Sequence, residues 1–129
     1  MYSPQVLDHF QNPRNAGELS GADATAELEN PVCGDVIRLS IKMNGDRIQE
    51  IRFKAKGCVP AIACGSALTE LLRGKTAHEV RRLKCDDLAA TLGGLPQAST
   101  HAAQLALDAL STALAQIDSV RRGSMREME

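Results

Sequence analysis

Cys33-Gly34-Asp35, Cys58 and His101 are the residues of this chain best suited to hold a metal. Thiolates are the usual ligands of iron–sulfur clusters and of zinc, and imidazole nitrogen or carboxylate oxygen completes mixed sites. A carboxylate is a hard ligand that matches iron–sulfide poorly, so mixed ligation suits a site that must release what it holds. Gly34 permits close backbone approach to a bound group. Cys58 stands just before a predicted helix, whose positive end favours the thiolate. Spacing alone does not decide the matter. A Cys-x-Asp pair, a lone Cys and a distant His also fit buried cysteines and an ordinary surface histidine.

The elements that must position these residues follow from local pattern. Ser3 reads as an N-cap with Pro4 at the first helical position, and Asn12-Pro13 stops that helix. A short strand is predicted near Ala24–Leu28. Val36, Leu39, Ile41 and Met43, then Ile48, Ile51 and Phe53, flank Asn44-Gly45-Asp46, a hairpin signal because Asn and Gly both tolerate positive φ. Pro60 opens a helix carrying Ala61, Cys64, Leu68, Leu71 and Leu72, which Gly74 ends. Thr76 and Glu79 form a capping box for a short helix to about Leu83. Asp86 or Asp87 caps another through Leu92, closed by Gly93-Gly94. The longest helix is predicted from about Ala98 to Val120, with Ala102, Ala106, Ala109, Ala113, Ile117 and Val120 along one stripe. The class is α+β, with one domain over residues 1–120 and a polar tail over 121–129. Cys33-Gly34-Asp35, Cys58 and His101 then all fall at element boundaries, where loops at one end of the sheet can gather them.

Bulk properties narrow the function. The 129 residues suffice for one core. A net charge of −1, two Phe, one Tyr and no Trp argue against nucleic acid and an anionic membrane as partners. No apolar run reaches the roughly eighteen residues that span a bilayer, and the first residues lack a signal-peptide pattern. The expected setting is the reducing cytoplasm, where four cysteines point to packing, catalysis or metal rather than disulfides.

The wording of several segments adds a resemblance. Tyr2-Ser3-x-x-Val6-x-Asp8-His9-Phe10-x-Asn12-Pro13-Arg14-Asn15 resembles the N-terminal signature of the IscU/NifU family of scaffolds. Cys33-Gly34-Asp35 resembles its first ligand motif, and Phe53-Lys54-x-x-Gly57-Cys58-x-x-Ala61-Ile62-Ala63 its second. Leu95-Pro96 followed by His101 resembles the start of its third. The match is collinear from Tyr2 to about Ile117. It implies a SufE/NifU-like fold, a three-stranded antiparallel sheet with helices packed against it. It also implies a job: accepting sulfur from a cysteine desulfurase, combining it with iron, and passing a transient [2Fe–2S] cluster to apo-proteins or carriers. Zn²⁺ in the same pocket is common in such proteins. The zinc-using SufU branch carries an insertion before its third motif for which the stretch from Cys58 to His101 leaves no room. The implied ligands are Cys33, Asp35, Cys58 and His101, in a scaffold rather than an enzyme, as a monomer or weak homo-oligomer.

Two departures stand out. The family's third motif reads His-Cys, whereas Ala102 follows His101, so the cysteine that typically accepts sulfur is missing. Cys33 and Cys58 become the candidate acceptors. Cys64 is either a core residue or an auxiliary thiol, and Cys85 lies far from every motif. The family's Leu-Pro-Pro-Val-Lys chaperone motif is replaced by Leu95-Pro96-Gln97-Ala98-Ser99, so help from an Hsp70-type chaperone is not implied. His9 is expected to pack or hydrogen-bond, His78 to be exposed, and Tyr2 to serve self-association. Two further readings stay open: a zinc-binding sulfur acceptor or regulator, and a degenerate module that binds the desulfurase without building a cluster.

Overall fold

In the computed structural model, the backbone is described for residues 2–128 and the side chains for residues 2–121. Helix α1 (Pro4–Gln11) begins as its sequence dictates: Ser3 Oγ accepts the Val6 N–H at 3.0 Å and Pro4 occupies the first turn. Strands β1 (Ala24–Glu29), β2 (Val36–Asn44) and β3 (Arg47–Lys56) form an antiparallel sheet in the order β1-β2-β3. The hairpin turn is Gly45-Asp46. Asn44 pairs with Arg47 as the last strand residue, so only Gly45 takes positive φ, at 63°. A register shift near Lys42 and Met43 bends the end of that hairpin.

Alternation along the strands buries Ala24, Ala26, Ile37, Leu39, Ile41, Ile51 and Phe53 on one face. Helix α2 (Val59–Leu72) covers this face beside β3, and α5 (Thr100–Met128) covers it beside β1 and β2. Most of α2 is buried, since α1 and α5 pack on it as well. Close approach of α2 to the sheet is possible because residue 65 is Gly: an added Cβ there would meet the Phe53 ring at 2.5 Å. The sheet's edges are closed by hydrogen bonds. On β3, Phe53 exchanges backbone bonds with Asn15 and Gly17, and Ile48 with Gly74 and Lys75. On β1, the Gln116 amide accepts the Thr25 N–H at 3.2 Å and donates to its carbonyl at 2.9 Å.

The segment after α1 is pinned to α2. Ser66 Oγ accepts the Arg14 N–H at 2.8 Å and lies 2.7 Å from His9 Nδ1, while Thr69 Oγ donates to the Arg14 carbonyl at 3.2 Å. His9 is thus a buried hydrogen-bonding residue, and His78 is exposed.

Several element boundaries differ from the sequence expectation. The Thr76–Glu79 cap is present, but α3 runs only over Ala77–Val80. Helix α4 (Cys85–Thr91) starts earlier than predicted, because Asp87 is inside its first turn and reaches back to accept the Lys84 N–H at 2.8 Å. A single 3₁₀ turn, Gln97–Ser99, precedes α5. That helix continues past Val120 to Met128, and Val120 is 63% exposed where α5 has passed the apolar face. The tail expected at 121–129 lies largely outside the described side chains. Among the described residues, no helix is long and apolar enough to cross a membrane.

Candidate metal centre

Three boundaries meet at one end of the sheet. The β1–β2 loop carries Cys33 and ends at Asp35, Cys58 caps α2, and His101 lies in the first turn of α5. The first loop is closed by its own bonds: Asn30 N–H to the Asp35 carbonyl at 2.8 Å and Gly34 N–H to the Asn30 carbonyl at 2.7 Å. A cavity of about 510 Å³ opens there, lined by Cys33, Asp35, Cys58 and His101 together with Tyr2 and Pro60.

Asp35 is the centre of the arrangement and is only 3% exposed. Its Oδ1 accepts the Cys58 N–H at 3.1 Å, and its Oδ2 accepts the Cys58 thiol at 2.9 Å. Gly57, at φ 139°, turns the chain tightly around this carboxylate, and an added Cβ would overlap it. His101 Nε2 lies 3.6 Å from Oδ2. His101 Nδ1 is 2.9 Å from the Ala98 carbonyl, so Nδ1 carries a proton and Nε2 is the nitrogen turned toward Asp35 and the cavity. One donor atom each from Cys33, Asp35 and His101 lie within 4.8 Å of one another. Cys58 joins through Asp35 and is not part of that mutual set.

Electrostatics qualify the sequence reading of Cys58. Burial, then its hydrogen bond to Asp35, push the thiol up to about 11, overriding the helix end that it caps. Burial also acts to raise Asp35, but bonds from Cys58 and Cys33, with His101 nearby, outweigh it and hold the carboxyl below its usual 3.8. The free site therefore holds a protonated thiol against a carboxylate. A metal bound by both must displace that proton. Sulfur, nitrogen and oxygen donors, with one imidazole fixed in its ligating tautomer, fit zinc or an iron–sulfur unit.

The remaining cysteines are elsewhere. Cys64 is fully buried in the apolar core, outside the cavity lining, and burial pushes its thiol up to about 12. Cys85 donates to Gln104 Oε1 at 3.2 Å. Ala102, where the resemblance leads one to look for a third cysteine, is 2% exposed within the core. Sequence reasoning missed the Ala98 carbonyl that orients His101; its position three residues before the histidine, at a predicted helix start, was the available signal. It also missed that Tyr2 lines the cavity, because termini carry little local pattern.

Comparison with known proteins decides the family. The family described as NifU-like N terminal domain matches residues 1–122. This chain belongs to that family. An iron–sulfur cluster assembly scaffold protein IscU 1 from Archaeoglobus fulgidus is 46% identical over 114 residues, covering 88% of this chain and 74% of its own. The scaffold protein IscU of Escherichia coli is 40% identical over 124 residues, covering 93% and 96%. Among solved structures, a NifU-like N-terminal domain from Brucella abortus superposes with TM-score 0.76 over 91% of this chain and 94% of its own, at 21% identity, which speaks for the fold. The α+β architecture with a three-stranded antiparallel sheet is thus the family's own.

Proposed function

We propose that this protein is a scaffold on which iron–sulfur clusters are assembled and from which they are handed on, rather than a turnover enzyme. Cys33, Asp35, Cys58 and His101 are the donors for the cargo. The observation that carries the reading is the convergence of Cys33, Asp35 and a tautomer-fixed His101 within 4.8 Å, with Cys58 on the same carboxylate. The relatives named as cluster scaffolds support it. In this reading sulfur comes from a cysteine desulfurase and the cluster leaves to apo-proteins or carriers. A hard carboxylate among thiolates favours release over permanent storage.

The test is anaerobic reconstitution with ferrous iron, a cysteine desulfurase and L-cysteine. The protein is expected to gain sulfide-to-iron charge-transfer absorption in the visible. A spectrum unchanged from that of the free reagents would overturn the proposal.

A second reading, a zinc site for sulfur acceptance or regulation, is favoured by the compactness of the donor set. Cys33, Asp35 and His101 within 4.8 Å of one another can hold one tetrahedral ion without a second metal. It requires stoichiometric zinc in protein isolated without added metal, and no cluster on reconstitution.

A further inference from the structure

We propose that Ser99 is a cargo-contacting residue of the cavity, its hydroxyl donating a hydrogen bond to an anionic sulfur once the site is filled. The inference rests on the metal-site reading above and adds a residue which that reading does not use. Ser99 stands in Leu95-Pro96-Gln97-Ala98-Ser99, where this chain departs from the family's Leu-Pro-Pro-Val-Lys, and it takes the place of the lysine. The resemblance therefore assigns it no role.

Ser99 is 6% exposed and lines the cavity beside Cys58 and His101. Its N–H is spent on the Pro96 carbonyl at 2.8 Å, which closes the 3₁₀ turn before α5. Its hydroxyl has no hydrogen-bond partner among the described residues, and polar groups buried this deeply are normally paired. Among the same residues, the unpaired side-chain atoms sealed from solvent belong to Arg14, Arg38 and Glu50. The Ser99 hydroxyl is unpaired but not sealed, so the little surface it exposes opens on the cavity.

The chemistry of the cavity says what completes it. In the free site both Asp35 oxygens are engaged by Cys58. A metal bound there displaces the thiol proton and turns the sulfur into an acceptor. A serine hydroxyl has one proton to give. Gly57, Pro60 and Ala98 bring no side-chain donor to the lining, and the His101 Nδ1 proton is held by the Ala98 carbonyl. Tyr2 carries the other hydroxyl and is only half-buried. One 3₁₀ turn thus fixes the His101 ring through Ala98 and supplies a buried donor through Ser99. Donation to sulfur draws electron density from it, as hydrogen bonds to sulfur do in iron–sulfur sites.

The full chain is loaded anaerobically in two arms, one with cobalt(II), a spectroscopically visible stand-in for zinc, and one with ferrous iron and inorganic sulfide. In each arm the sulfur-to-metal charge-transfer band is compared among the parent, Ser99→Ala and Ser99→Thr, with circular dichroism unchanged. The Ser99→Ala band is expected at longer wavelength, because a sulfur freed of its hydrogen bond gives up charge more readily. Ser99→Thr keeps the hydroxyl and is expected to restore the parent's position. A shift in the cobalt arm assigns the acceptor to a cavity thiolate; a shift confined to the cluster arm assigns it to sulfide. No shift to longer wavelength in either arm, or a Ser99→Thr band displaced as far as that of Ser99→Ala, would overturn the role of Ser99 and leave the metal site standing. If the parent binds cobalt but builds no cluster, the scaffold reading fails and the cobalt arm decides Ser99. A parent without charge-transfer absorption in either arm sinks both.

Discussion

The behaviour of the site turns on single atoms of His101 and Asp35. In the proposed site His101 would ligate through Nε2, because the Ala98 carbonyl holds Nδ1 at 2.9 Å. Removing the ring removes one of three mutually close donors without disturbing the core, since His101 is half-exposed. His101→Ala is therefore expected to lower zinc affinity by about one to two orders of magnitude, in line with losses that even outer-shell changes cause at metal sites. Competition against a zinc chelator would measure it, and unchanged affinity would remove His101 from the donor set. Cys33-Gly34-Asp35, Cys58 and His101 were all legible in the sequence as candidate ligands. The thiol–carboxylate bond between Cys58 and Asp35 was not, because twenty-three positions separate them and no local pattern reports which rotamers meet.

At the scale of elements, the site depends on α2 lying close against β3, since Cys58 caps that helix. Gly65 sets the approach. Gly65→Ala places a methyl 2.5 Å from a Phe53 ring that is itself 2% exposed and has little room to move. Overpacking of this kind costs about 1–3 kcal/mol, and urea denaturation should show a lowered midpoint at unchanged slope. A midpoint equal to the parent's would mean that the helix and strand are not packed as described. Docking of α1 on α2 carries a pH signature. Burial first, and then the Arg14 charge, lower His9 below its usual 6.5. The folded state then binds fewer protons than the unfolded one, so this contribution is fully present above 6.5 and lost as pH falls through the folded value. Stability should fall as pH drops below the usual histidine value of 6.5, and His9→Gln should flatten that fall; an identical profile would refute the assignment. Helix starts at Pro4 and Thr76 and the Asn44–Arg47 hairpin were legible because caps and turns are local. The reach of α5 to Met128 was not, since Arg121-Arg122-Gly123 offers the basic turn and glycine that commonly end a helix.

For the molecule as a whole, family membership and the fold describe an α+β platform with a cluster of candidate donors at one end. Ala102 is part of the platform's core, its methyl buried there. Cys64 illustrates how the whole constrains the part: its sequence position six residues after Cys58 allowed an auxiliary role, and the packing of α2 turned it inward. In the proposed scaffold the cargo is held by the cavity thiols and not by the core thiol. Iron and acid-labile sulfide, measured anaerobically in the reconstituted parent protein beside Cys58→Ala and Cys64→Ala, test it most directly. Iron and sulfide in equal amounts are predicted for the parent and for Cys64→Ala, with both strongly reduced in Cys58→Ala. Full loading of Cys58→Ala, or loss confined to Cys64→Ala, would contradict a cargo held by the cavity thiols.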